Sequence, residues 1–223
     1  MLAKEGNMRH TKSICGRPIV LALCLGLLFS TGCAVGVKKR PSGFLGDYSS
    51  FRTDPDEPDI FYYEKPGVDW TRFKRLRLDP ILVYYKPDTR DRHIDPNTLK
   101  KMTDYFGNAL VKAVEDKYPI VSEPGPGVLR IRAAITELNP SNVLVNVVTS
   151  VALLSVDMGG AAMEAEFLDS ETGERLAAIV HKRMGTPIDM VGSYSKWGHA
   201  KAAFDYWAKE LRKGLDGSEP EEK

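Results

Sequence analysis

The stretch from Ala161 to Met184 constrains the fold most. AAMEAEFLD (Ala161–Asp169) alternates Met163, Ala165 and Phe167 with Glu164 and Glu166. A period of two sends these sets to opposite faces of a strand. DSETGE follows: Asp169 caps a tight turn and Gly173 supplies the positive φ of a bulged hairpin. ERLAAIVHKRM (Glu174–Met184) returns as the partner strand. Upstream, VLRIRAAITEL (Val128–Leu138) places Leu129, Ile131, Ala133 and Ile135 against Arg130, Arg132, Ala134 and Thr136, another half-buried strand. Such strands form a sheet whose apolar face needs a second layer.

Two helical patterns supply that layer. Asp95-Pro96 pairs an N-cap with proline at the first helical position. Leu99, Met102, Phe106, Leu110 and Val114 follow at helical spacing, and Tyr118-Pro119 ends the run. A final helix is expected near Ser195–Lys213, with Trp197, Ala200, Phe204, Trp207, Ala208 and Leu211 as its buried stripe and Gly214 as terminator. VDWTRFKRLRLDPILVYY (Val68–Tyr85) reads as a strand with a lead-in, interrupted at Pro80 by a bulge or edge position. Ile120-Val121 is a short strand. The expected order is β-α-β-β-β-β-α: an α/β two-layer sandwich with a mixed four- to five-stranded sheet and two main helices on one face. A right-handed crossover makes its first two strands parallel.

The cysteines divide the chain. Cys15, Cys24 and Cys33 are the only three in 223 residues. The body therefore has no disulfide and depends on its core, which a body of roughly 150 residues can supply. Arg9, His10, Lys12 and Arg17 form a positive region, and Pro18–Phe29 is an apolar run shorter than the ~20 residues of a membrane span. Small residues Ser30, Thr31 and Gly32 then precede Cys33. This is the layout of a secretory signal, with Met8 as an alternative start. It resembles the lipobox of bacterial lipoproteins, although Ser30 stands where leucine is usual. The resemblance implies cleavage before Cys33, acylation of Cys33, and delivery to the outer membrane, because Ala34 is no retention signal. Residues 1–32 are thus read as signal peptide. Cys15 and Cys24 would leave with it.

Residues 33–66 read as a lipidated tether. Lys38, Lys39 and Arg40 are a solvated spacer or a weak contact for anionic headgroups. TDPDEPD (Thr53–Asp59) is acidic and broken by proline, so an extended linker is expected. Within the tether, PSGFLGDYSSF (Pro41–Phe51) is too apolar for linker. Phe44, Leu45, Tyr48 and Phe51 have the spacing of a short helical turn docked on the domain, or of a partner-binding peptide. Residues 67–214 are read as a single periplasmic domain and 215–223 as a disordered acidic tail.

The sequence carries no catalytic set. No histidine pair has helical zinc-ligand spacing, so no metal or cofactor is expected. His93, His181 and His199 read as surface or boundary residues. G-x-S-x-G is absent, and Glu164/Glu166 read as solvated surface. Formal charge is +1, and removing the first 32 residues, with four basic side chains and Glu5, leaves 27 basic against 29 acidic. That near-neutrality gives no case for nucleic acid.

PSGFLGDYS after a lipobox, then VDWTRFKRLRLDP, then the D-S-E-T-G-E hairpin resemble the bacterial lipoprotein family catalogued as domain of unknown function 3313, over roughly Pro41–Leu211. That family has no established activity or catalytic residues to transfer. The expected role is an outer-membrane-anchored, periplasm-facing, non-enzymatic binding or scaffold module. Its partners are the membrane, through acylated Cys33, and an envelope protein. Two alternatives are a subunit of an oligomeric envelope or secretion assembly using the apolar 143–156 stretch as interface, and an envelope hydrolase with an unrecognised site.

Overall fold

The alternating segments pair into one sheet, and the two amphipathic segments become helices packed on one of its faces. In chain order the elements are β1 (Arg52–Thr53), β2 (Ile60–Glu64), β3 (Arg75–Leu78), β4 (Leu82–Val83), α1 (Pro96–Val114), β5 (Val128–Asn139), β6 (Gly160–Asp169), β7 (Arg175–Met184) and α2 (Gly198–Gly217). The computed structural model describes residues 41–85, 93–141, 159–185 and 195–217. Cys33, the signal segment, the 143–156 stretch and the last six residues lie outside them.

The sheet has seven strands in the order β1-β2-β7-β6-β5-β3, with β4 also on β5. β3 and β4 run parallel to β5, and the other pairs are antiparallel. Seven strands replace the expected four to five for two reasons. Pro80 cannot donate to a ladder, so the 68–85 segment splits into β3 and β4, while Asp79 and Tyr84 still donate to Ile131 and Ile135 on β5. The second reason lies in the supposed linker. Asp54 Oδ1 accepts from the backbone of Asp56 and Glu57, and Asp54 N donates to Ile60 O. Those turns close a hairpin whose second strand, β2, pairs with β7 along Ile60–Glu64. Acid and proline in TDPDEPD are turn chemistry rather than the mark of an extended chain. The sheet therefore begins at Arg52, inside the region assigned to the tether. Conversely, the expected strand at Ile120 is a single parallel bridge to Leu76.

α1 begins as expected. Asp95 caps it, its side chain accepting from Thr98 N, and Met102, Phe106, Leu110 and Val114 form the buried stripe. Phe106 stacks on Phe204 of α2 at 4.8 Å between ring centroids. These rings and Trp207 pack over Ala133, Ile135, Met163 and Ala165 of β5 and β6.

α2 runs through Gly214, the residue expected to end it. Leu215 is buried with Val114 and Tyr118. Asp216 accepts from Lys117 Nζ at 2.9 Å, Arg212 Nε at 2.8 Å and Tyr118 Oη at 3.2 Å. Tertiary burial and charge thus extend the helix past a poor helix former. Lys117 first, then Arg212, lower the Asp216 carboxyl from the ordinary 3.8 to about 2. A depressed folded value means stability that is present above pH ~4 and lost as pH falls towards 2. Asp216→Asn should therefore flatten the fall of Tm between pH 4 and 2, read by circular dichroism melts. An unchanged acid limb would refute the assignment.

Candidate binding site

The two faces of the sheet are finished differently. On the face away from the helices lie Arg132 and Ala134 of β5, Glu164 and Glu166 of β6, and Ala178 and Val180 of β7, aligned across the strands by register. The Pro41–Phe51 segment lies on this face. Leu45 is buried with Ala178 and Val180, and Phe44, Tyr48 and Phe51 pack against that cluster. The segment forms successive turns rather than a helical turn. Gly46 N donates to Gly43 O and Phe51 N to Tyr48 O. Gly43 and Gly46 take φ of 99° and 75°, outside the helical region.

This strap covers the two carboxylates expected in solvent. Glu164 has 0% exposure and Glu166 3%. Glu164 accepts from Ser42 N at 2.6 Å and Tyr48 Oη at 2.5 Å. Glu166 accepts from Arg132 Nη1 and Arg175 Nε. Arg175 continues outward to the carbonyls of Leu45 and Asp47. Phe44 sits over the Arg132 guanidinium and against Tyr84. Burial first, and then the Glu164 carboxylate, push the Tyr48 phenol above its ordinary value, so it stays protonated as a donor. The alternation of β6 reads correctly from sequence. What covers its polar side does not.

The helix face carries an apolar cleft. α1 and α2 pack on each other, and α2 lies over β6 and β7. Beyond it, the cleft has a volume of about 560 Å³, floored by Tyr62, Ala177 and Ile179 and walled by Trp207, Leu211 and Gly214. Trp70 and Phe73 line it as well. Four carboxylates reach it: Asp54, Glu57, Glu64 and Glu210. Tyr206 Oη contacts Glu57 at 3.4 Å, linking α2 to the β1–β2 turn. This volume is within the range typical of ligand pockets.

His181 lines the cleft and is buried, as is His199; both differ from the surface or boundary positions expected. Trp207 Nε1 donates to His181 Nδ1 at 3.1 Å, which makes that nitrogen an acceptor. His199 packs against Gly185 so closely that a Cβ there would lie 2.3 Å from its Nδ1. His93 is exposed. Among the described residues, no group of three or more His, Cys, Asp or Glu could hold a metal, and no helix is long and apolar enough to cross a membrane.

Sequence reading singled out the strap residues but missed the cleft. Its floor depends on β2, hidden in apparent linker. Its wall depends on α2 continuing through Gly214. The one available signal was the aromatic run IFYYE (Ile60–Glu64), which has strand composition.

Comparison with known proteins adds four likenesses. Residues 40–211 match the model of the family described as "Protein of unknown function (DUF3313)". The "Uncharacterized lipoprotein YdcL" of Escherichia coli K12 is 25% identical over 207 residues, covering 86% of this chain and 92% of that protein. Solved structures with partial likeness include the PelC dodecamer of Paraburkholderia phytofirmans, at 11% identity and TM-score 0.38 over 67% of this chain and 96% of that one. Protein XCC0632 of Xanthomonas campestris gives 14% identity and TM-score 0.38 over 70% and 90%.

Proposed function

This chain belongs to the bacterial lipoprotein family described as a protein of unknown function (DUF3313), and from that membership we propose that it is an outer-membrane lipoprotein, anchored by acylated Cys33, whose periplasmic domain is a non-enzymatic binding module. The observation that supports the anchoring is the likeness to a lipoprotein over most of the chain, together with the apolar run and small residues that end at Cys33; the distance in sequence from Cys33 to the strap then sets its reach. Ser42, nine residues on, already bonds the buried Glu164. Nine residues span at most about 30 Å. A lipid at Cys33 would therefore hold the domain close to the bilayer, and two or more acyl chains make such attachment stable.

The non-enzymatic reading draws on how the buried titratable groups are used. Glu164 holds the strap, Glu166 is paired with Arg132 and Arg175, and His181 accepts from Trp207. Each serves packing already. The cleft is the binding surface, because it joins an apolar floor to carboxylates along its edges.

Intact mass of the mature protein tests the anchor. The expected product starts at Cys33 and carries acyl groups, and Cys33→Ala moves the protein from the membrane pellet to the soluble fraction. An unmodified Cys33, or cleavage elsewhere, overturns this reading.

A further inference from the structure

We propose that the β4 rim of the sheet, with the strap beside it, docks on the membrane surface and binds anionic phospholipid headgroups. The proposal rests on the anchoring reading and adds an orientation to it: the cleft, on the opposite face of the sheet, is turned away from the bilayer. The rim is apolar and open. Leu82 and Tyr84 are the most exposed large apolar side chains among the described residues, at 48% and 45%. Leu82 is in register with Ala134 of β5, so alternation turns Leu82 and Tyr84 to the strap face. Phe44 of the strap is half-buried and packs against Tyr84 at 5.9 Å between ring centroids. Exposed apolar and aromatic groups flanked by cationic side chains suit the headgroup boundary, where the apolar parts sink and the charges meet phosphate.

The flanking charges are arginines. Arg77 of β3 is in register with Arg130 of β5, and Arg132 follows on the same face. Arg130 pairs with Asp79 at 2.6 Å, whereas Arg77 and Arg132 stand 3.8 Å and 3.7 Å from that carboxylate. Arg75 donates to the carbonyl of Pro126, and Arg175 shares Glu166 with Arg132. Against these five arginines stand Asp47, Asp79, Glu164 and Glu166, and the last two are sealed beneath the strap. The outward charge is therefore mainly guanidinium, and Lys38, Lys39 and Arg40 add three positive charges immediately before Pro41. The course of the chain selects a bilayer as the occupant. A Cβ on Gly43 would lie 3.9 Å from the Tyr84 ring, so the strap starts beside this rim. Cys33 is eight positions before Pro41, a reach of at most about 30 Å. A short tether of this kind gives the rim a high effective concentration at the lipid surface.

The test uses the full mature chain made without its signal, in which Cys33 is the sole cysteine and couples to a maleimide lipid. The tether is then present whether or not cells acylate Cys33. Amide hydrogen exchange, read by mass spectrometry, is compared on phosphatidylcholine vesicles and on vesicles enriched in phosphatidylglycerol. Exchange over residues 43–51 and 79–85 should slow on the anionic vesicles only and recover in high salt. Exchange in α2 should be the same on both.

Variants tie the effect to the rim. Arg77→Gln should weaken docking on anionic vesicles by about fivefold, the effect of one cationic side chain near such a surface, and Arg77→Lys should restore it. Leu82→Ser should weaken docking further and retain Tm, because Leu82 is half exposed. Equal exchange on the two vesicle types, protection of α2 instead of the rim, or protection insensitive to Arg77→Gln and Leu82→Ser overturns the docking assignment and leaves the anchoring reading standing. Protection of the rim without vesicles that grows with protein concentration assigns it to a second copy and overturns the assignment too. Failure of the anchor is read separately, from the mass of the native protein.

Discussion

Phe106→Ala should destabilise the domain by about 3–5 kcal/mol, the usual range for removing a fully buried aromatic ring. Phe106 is 1% exposed. Its ring stacks on Phe204 with an interplanar angle of 16° and tilts against Trp207 at 5.7 Å. These contacts join the two helices to each other and to β5 and β6, so no single neighbour can close the vacancy. In a domain of this size the loss corresponds to a fall in Tm on the order of 10 °C. Because Phe106 also lines the cleft, the same change enlarges it. Chemical denaturation with an unchanged m-value measures the effect. A loss below about 1 kcal/mol would show that the helices do not depend on this ring stack.

Glu164→Ala should release the strap. The substitution removes the acceptor for Ser42 N and Tyr48 Oη. Each donor left without a partner costs about 1–3 kcal/mol, giving roughly 2–6 kcal/mol if both stay buried. Exposure of the strap to water limits that penalty, so detachment is the expected response. Limited proteolysis should cut within residues 43–51 of the variant well before the parent. Tyr48→Phe should produce a smaller version of the same change. The double variant Glu164→Leu/Tyr48→Phe removes both polar groups together and should recover part of the stability, since an apolar pair in place of a buried charge is often tolerated. Continued protection of the strap in Glu164→Ala would show that Leu45 and the aromatic cluster suffice to hold it.

The two variants touch parts of the molecule that differ in how far they can be read from residues alone. Phe106 is legible as core, because its spacing from Met102 and Leu110 is helical and the cap at Asp95 starts the helix where expected. The β5, β6 and β7 strands are equally legible, because alternation with period two is a property of the strand itself. Glu164 is the contrary case. Its alternation places it opposite the apolar face, and local pattern then predicts solvent. The strap that covers it lies more than a hundred positions away in the chain, and no local period encodes that meeting.

β2 was illegible for a related reason. Its neighbours Pro55 and Pro58 with acidic residues have the composition of linker, and only pairing with the edge of β7 makes the aromatic run a strand. Gly214 shows the same principle in a helix. Its propensity favours termination, and Leu215 burial with the Lys117 and Arg212 contacts to Asp216 outweighs it.

Local chemistry therefore determined the signal-like region ending at Cys33, the hairpin turn at Asp169–Gly173, the three long strands and the two helical stripes. Each is set by residues within a few positions of one another. Tertiary structure decided the strand count, the burial of Glu164 and Glu166 beneath the strap, and the acidic-edged apolar cleft beside α2. Those features arise where segments distant in sequence meet, and burial and charge pairing at that distance override local propensity.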